Sequence, residues 1–418
     1  MLGRAIALAA LVGAVFSLSS TSFLVPPARA TAADGGRPGA LPLLESSTAL
    51  RSRGNDPAPV EPPASPPRDF LEPARMLSRV AACGPTGDIP GRFDRHVVEA
   101  HCRTLHELEA RWRGKWLARA QPFFERVVPA NLPTRIVYPF GGGDLLTVLV
   151  VFPAATDITT LSLEPAGDAR AIERLGAEDL APILAEVRAK VNHLFELAHS
   201  KTIDMGAMAR SKLPGDLTYA LAALAIHDME LVSVKYFRLG PRGELHYLTD
   251  ADVEAADAAE GAARRSAFED LEIEFQPRSG GPRRVFRHIA ANLDDTHLRA
   301  DPSVLRYLES KGPVTAITKA ASYLLWWKEF STIRDYLLSH MVWMVSDSTG
   351  ISPEDAEAAG FEQVPYGRFD GPFFRSGTRA TELFLALWAA GAAPLSFRFG
   401  YPDNANHNHL LVTRPRVP

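Results

Sequence analysis

This sequence predicts an α/β fold built round a largely parallel sheet, and three observations carry the prediction. Short β-branched and aromatic runs alternate with helix-length apolar or amphipathic stretches from residue 131 to the end. Glycine-rich or polar turns punctuate several of those runs. The 418 residues are 46% hydrophobic and 22% charged, which excludes collagen-like, coiled-coil and mostly disordered chains. The formal charge is −4, and residues 1–30 hold Arg4 and Arg29 and no acid, so the remainder is more acidic still. A mildly acidic body lacks the electrostatic footprint of a nucleic-acid binder.

Residues 1–30, MLGRAIALAALVGAVFSLSSTSFLVPPARA, read as a signal peptide. Arg4 gives a positive start, Ala5 to Leu18 an apolar run, and Ala28-Arg29-Ala30 a small-x-small cleavage site. The run is diluted by Ser17, Ser19, Ser20, Thr21 and Ser22 and ends in Pro26-Pro27. An uncleaved anchor wants about 20 continuous apolar residues. No later stretch is long and apolar enough to span a bilayer, so the expectation is a soluble periplasmic or secreted protein. Cys83 and Cys102 are the two cysteines, and an even pair in an exported chain reads as one disulfide. Two separate buried thiols are the alternative. A zinc site from Cys83, His96, His101 and Cys102 lacks knuckle spacing, and no metal is expected.

Residues 31–75 read as a disordered Pro-rich tether, with nine prolines between Thr31 and Pro73, and order is expected to begin near Phe70 to Met76. Residues 76–130 form an N-terminal helical segment. Its helix runs from about Leu105 to Glu125, with Trp112 and Trp116 four apart on one face.

The body, residues 131–418, then alternates. Arg135–Phe140 is a strand, Leu145–Phe152 a helix-length apolar run, and Ile158–Leu163 a second strand. A long amphipathic helix carries Ile183, Leu184, Val187, Val191, Leu194 and Phe195 at helical spacing. Leu217–Ile226 is a helix, and Leu231–Phe237 turns at Gly240–Gly243 into Glu244–Leu248. Ala251–Arg265 is a surface helix, and Gln276–Arg284 a loop. Strands follow at Val285–Leu293, Val314–Lys319 and Met341–Val345, with helices at Ser303–Ser310, Tyr323–Leu338 and Thr378–Ala390. Leu395–Phe399 and Leu410–Thr413 close the chain as a C-terminal hairpin.

Ligands of open α/β sheets sit beyond the carboxyl ends of strands where strand order reverses. The first strand feeds Gly141-Gly142-Gly143-Asp144, where missing Cβ atoms let backbone approach a ligand. Glu164 follows Gly142 by 22 residues, about where dinucleotide folds place an acid for ribose hydroxyls. RIVYPFGGGD followed by TTLSLEP resembles the first two strands of Rossmann-like S-adenosylmethionine-dependent methyltransferases. The resemblance implies a Rossmann-like sheet, with Gly142 flanking a ligand and Glu164 meeting a ribose. Asp144 departs from that family's turn, which has a glycine there. An Asp caps the following helix and repels a phosphate, leaving a cationic or hydroxyl-rich ligand allowed. The plainer reading is a tight strand-to-helix turn. YPFGGGD, LEPAG, KAASYLL, MVSDSTGI, YGRF and FRFGY are also similar, in order, to exported bacterial proteins of unknown function.

Asp347-Ser348-Thr349-Gly350 ends one strand, and Lys319 with Ser322 ends another; a Ser near a Lys can form a nucleophile–base pair. His407-x-His409 and Asp294, Asp295 and His297 read more simply as polar turns than as metal sites. The sequence therefore points to a small-molecule binding protein with a pocket at Gly141, Gly142, Gly143, Asp144 and Glu164, its cofactor unnamed. A divergent transferase or hydrolase using Asp347, Lys319 and Ser322 is one alternative. An envelope interaction protein without a small ligand is the other.

Overall fold

The structure, a computed structural model, describes residues 65–199, 204–206, 208, 212–259, 261–369, 379–401 and 408–416. Residues 1–30, read as a signal peptide, residues 31–64 of the stretch read as a tether, and His407 lie outside the described residues. Ten strands form one sheet: β1 (Arg135–Pro139), β2 (Asp157–Ser162), β3 (Met229–Leu239), β4 (Leu245–Tyr247), β5 (Asp270–Pro277), β6 (Arg284–Ala290), β7 (Val314–Thr318), β8 (Met341–Ser346), β9 (Phe361–Gly367) and β10 (His409–Pro415). Their order across the sheet is β4-β3-β5-β6-β2-β1-β7-β8-β10-β9. The central run β6-β2-β1-β7-β8 is parallel throughout. The β3, β4 and β5 side is antiparallel, as is β10 against both β8 and β9.

Period-two alternation sends side chains to opposite faces. Ile136 and Tyr138 of β1 join one apolar cluster while Val137 between them joins the other; Ile317 and Ala316 of β7 split likewise. Both faces are therefore covered by helices, which is why β1 and β7 are buried almost throughout. Helices Leu71–Ala81, Arg95–Trp112, Leu145–Val151, Leu180–Leu197 and Gly215–Ile226 feed the first cluster. Helices Ser303–Glu309 and Ser331–His340 feed the second. Among the described residues no helix is long and apolar enough to cross a membrane.

Several expectations need correction. The helix Leu71–Ala81 takes in the last five residues of the 31–75 stretch, with order beginning near Phe70 as expected. The next helix starts ten residues early, at Arg95, because Asp94 caps it through His96 N–H at 2.8 Å. A five-residue π turn, Arg113–Leu117, joins it to the helix Ala118–Val127. The single helix read at Tyr323–Leu338 breaks into two short 3₁₀ turns before Ser331–His340.

No strand was expected at β5 or β9. Leu271, Ile273 and Phe275 nevertheless alternate with Glu272 and Glu274, and all three are buried, as is Glu272, which accepts from Arg287 Nε and Tyr247 Oη. The C-terminal hairpin does not form as read. β10 pairs with β8 and β9, while Leu395–Phe399 has no strand. Phe397 instead packs edge-on against Trp116, Phe123 and Phe124, and Trp116 Nε1 donates to the Arg398 carbonyl at 2.6 Å. Aromatic burial outweighs strand pairing for this segment.

Cys83 and Cys102 form a disulfide with a Cα–Cα distance of 5.3 Å, tying the first two helices together. The bridge closes a sequence separation of 19 residues. Replacing both cysteines by serine is expected to lower unfolding stability by about 3 kcal/mol. Urea unfolding without reductant measures this; an unchanged midpoint would mean the bridge constrains nothing that matters.

Candidate functional site

The order of strands reverses at β1. The chain runs from β1 outward through β2 to β6, then returns to the other side of β1 for β7 and β8. The carboxyl ends of β1, β7 and β8 meet there, as hydrogen bonds between their following residues demonstrate. Four of the non-glycine residues with positive φ cluster at these ends: Phe140, Ala320, Ser322 and Tyr323. Such left-handed conformations cost about 1–3 kcal/mol each and gather at functional sites.

Asp144 is fully buried and does two jobs. It caps the helix Leu145–Val151 by accepting from Thr147 N at 3.3 Å and Thr147 Oγ1 at 2.9 Å. Its other oxygen accepts from Tyr138 Oη at 3.1 Å and lies 2.9 Å from Lys319 Nζ. Lys319 has no exposed side-chain surface. Its ammonium also donates to Thr147 Oγ1 at 2.7 Å and to the Ala198 carbonyl, so its three protons are all committed. Burial pushes the Lys319 pKa down, against the opposing pull of Asp144. Burial, reinforced by the charge of Asp144, pushes the Tyr138 hydroxyl well up.

Asp347 is equally engaged. One oxygen accepts from Ala320 N at 2.8 Å and Tyr401 N at 2.9 Å; the other accepts from Thr349 N at 2.8 Å and Thr349 Oγ1 at 2.5 Å. A Cβ at Gly400, whose φ is +71°, would fall 2.0 Å from that carboxylate, so only glycine brings the chain so close. Ser348 Oγ bonds Tyr323 Oη and His409 Nε2 at 2.8 and 3.0 Å. Ser322 Oγ lies 3.3 Å from Tyr401 Oη, and no hydrogen bond joins it to Lys319.

The glycine turn packs against protein rather than solvent at two of its positions. A Cβ on Gly141 would meet the Tyr138 ring at 2.6 Å, and one on Gly143 would meet Tyr219 Cβ at 2.8 Å and Asp216 Oδ1 at 3.2 Å. Gly142 supplies the positive φ, +50°, that the turn requires.

Beyond Gly143 lies a pair of carboxyls with unmet valence. Asp216, in the first turn of the helix Gly215–Ile226, is 3% exposed, and among the described residues neither of its oxygens has a hydrogen-bond partner. Oε1 of Glu164, just past β2, is likewise buried and unpartnered. Burial, then the negative charge of Glu164, raises the Asp216 pKa well above the usual carboxylate range. The Glu164 backbone is fixed by His288. Because a carbonyl can only accept, Nε2–H donates to Glu164 O at 2.7 Å, and Nδ1 accepts from Thr160 Oγ1 at 3.1 Å. Beside Glu164, Leu163 is 58% exposed.

The structure thus joins Asp144 to Lys319, ties the segment holding Lys319 to Asp347, and places Gly143 beside Asp216. Sequence reasoning missed Asp216. Its signal is a lone acid after Pro214-Gly215, opening an otherwise apolar helix.

The remaining polar clusters act locally. Asp294 caps its helix through Thr296 N and His297 N, and Asp295 accepts from Ser331 Oγ at 2.6 Å. His409 is buried at the start of β10 rather than in a polar turn. Among the described residues, Cys83, His101 and Cys102 are the one triple close enough to share a metal, but both sulfurs are spent in the disulfide. His101 accepts from Arg188 at Nδ1 and donates from Nε2 to Ala81 O, and burial lowers its pKa to about 4.

Comparison with known proteins adds no relative. No family model, curated protein or solved structure matches the chain.

Proposed function

We propose that this is an exported binding protein for a small hydroxyl-rich or cationic ligand, held by Glu164 and Asp216 beside the glycine turn of a Rossmann-like, methyltransferase-like sheet. The single observation that carries this reading is Asp216: a buried carboxyl with no partner costs about 1–3 kcal/mol or more. A ligand hydroxyl or ammonium group supplies the missing partner.

The strand order supports the setting. Counted along the chain, the five parallel strands β1, β2, β6, β7 and β8 stand in the order third, second, first, fourth, fifth, as in doubly wound dinucleotide folds. The two acids lie at the carboxyl side of the reversal, where such folds bind. Two carboxyls repel phosphate, so a nucleotide phosphate is disfavoured. Residues 1–30 support export to the periplasm or medium.

Binding is favoured over catalysis because Lys319 and Asp347 spend their protons and lone pairs inside the protein. A divergent transferase or hydrolase would need them free.

Differential scanning fluorimetry with adenosine and with hexose sugars tests the reading. A ligand at 100 times its Kd stabilises by about 2.7 kcal/mol. Glu164→Ala is expected to remove that shift with little change in the ligand-free melting point. No shift with any of these compounds would contradict the proposed ligand chemistry.

A further inference from the structure

At the opposite end of β1 from the glycine turn lies a cavity of about 350 Å³. Phe124, Leu132, Ile136, Leu149 and Phe152 form its apolar wall. That volume is at the small end of the range for ligand pockets, which are typically apolar with a few placed polar groups. Two further observations single it out. The π turn Arg113–Leu117 contributes both of its end residues to the lining, and π turns inside α-helices recur at functional sites. Pro122, in the helix that follows, also lacks the N–H for the i→i−4 ladder. The helical segment bordering the cavity is thus irregular beside it.

The polar groups of the wall are mostly spent. Arg113 pairs with Glu109 at 2.6 Å and donates to the Ile226 carbonyl. Gln121 donates to Glu125 at 2.9 Å. His227 is the exception: its ring bonds the Leu146 carbonyl, but its Nε2 is shut off from water and has no hydrogen-bond partner among the described residues. Burial, with the nearby positive charge of Arg113, lowers its pKa to about 4, so the ring is neutral at physiological pH.

We propose that this cavity is a second binding site, for a medium-chain aliphatic amphiphile whose single hydroxyl or carboxyl head bonds His227. The alkyl body fills the apolar wall, and a small turn of the imidazole presents Nε2 to the head. The other ring nitrogen donates to the Leu146 carbonyl, so in the neutral ring Nε2 is an acceptor, which suits an alcohol or a protonated acid. The site is independent of Glu164 and Asp216, which lie beyond the other end of the strand.

Isothermal titration of the full chain with decanol and with decanoate, below micelle-forming concentrations, is the test. Saturable binding of one decanol per chain is expected, with weaker binding of decanoate, whose ionised head has no proton for Nε2. Val128→Trp, half-buried at the cavity wall, should abolish it, and Ala130→Trp, at an exposed lining position, decides the matter if the first variant melts early. His227→Leu should weaken decanol about tenfold, a loss of about 1.4 kcal/mol. Glu164→Ala should change nothing, which separates this site from the other. No saturable binding, or unchanged affinity in Ala130→Trp or His227→Leu, overturns the proposal.

Discussion

Lys319→Met should lower unfolding stability by about 3–5 kcal/mol, the usual cost of leaving a buried charge without its partner. The methionine roughly preserves shape but leaves Asp144 a fully buried carboxylate facing only Tyr138 Oη and the Thr147 donors. The Ala198 carbonyl and Thr147 Oγ1 lose a donor as well. Asp144→Asn keeps an oxygen to cap the helix Leu145–Val151 and removes the charge, so adding it to Lys319→Met should recover part of the loss. Groups in direct contact couple by about 0.5–3 kcal/mol. Urea unfolding of the wild type, both single variants and the double variant measures that coupling. A Lys319→Met protein as stable as the wild type would mean that the pair contributes nothing to the closure of the strand ends.

Asp347→Asn is expected to cost about 3–6 kcal/mol, two charge-assisted hydrogen bonds at about 1.5–3 kcal/mol each. Whichever way the amide is turned, its NH₂ faces two donors: Ala320 N and Tyr401 N on one side, Thr349 N and Oγ1 on the other. Those donors belong to the ends of β7 and β8 and to the segment at Gly400, so three pieces of chain loosen together. The melting temperature of the variant measures the effect. This result also separates two roles for Asp347. A catalytic carboxylate would lose turnover with the melting point intact, whereas a cross-link loses the melting point first.

Much of the architecture is legible because it is local. The β-rich run before Gly141, the capping role of Asp144 and the pairing of Cys83 with Cys102 each depend on residue type and short spacing. The ends of β7 and β8 could also be located from their apolar runs and polar stops. What those ends do could not be read locally. Lys319 and Asp144 are 175 positions apart, and only the sheet order brings them to 2.9 Å. β5 hides its period-two pattern among acids that suggest a surface segment, and β9 carries Pro365, which reads as a break. Asp216 is ordinary as a first-turn acid; its isolation appears only once Glu164 and Gly143 close around it.

The central claim is that Asp216 is held buried and unsatisfied for a ligand, and the pH dependence of stability in Asp216→Asn tests it most directly. A carboxyl whose folded pKa is raised contributes stability that is fully present below its unfolded pKa, about 3.9, and lost as pH rises through the folded value. Asp270, raised to about 7 by burial, adds a loss of the same sign in both proteins, so their difference isolates Asp216. Without ligand, the variant should be more stable than the wild type at neutral pH, and the gap should close as pH falls toward 4. A variant less stable than the wild type at neutral pH would show that the carboxylate is already satisfied in the folded chain, and the proposed binding site would fall with it.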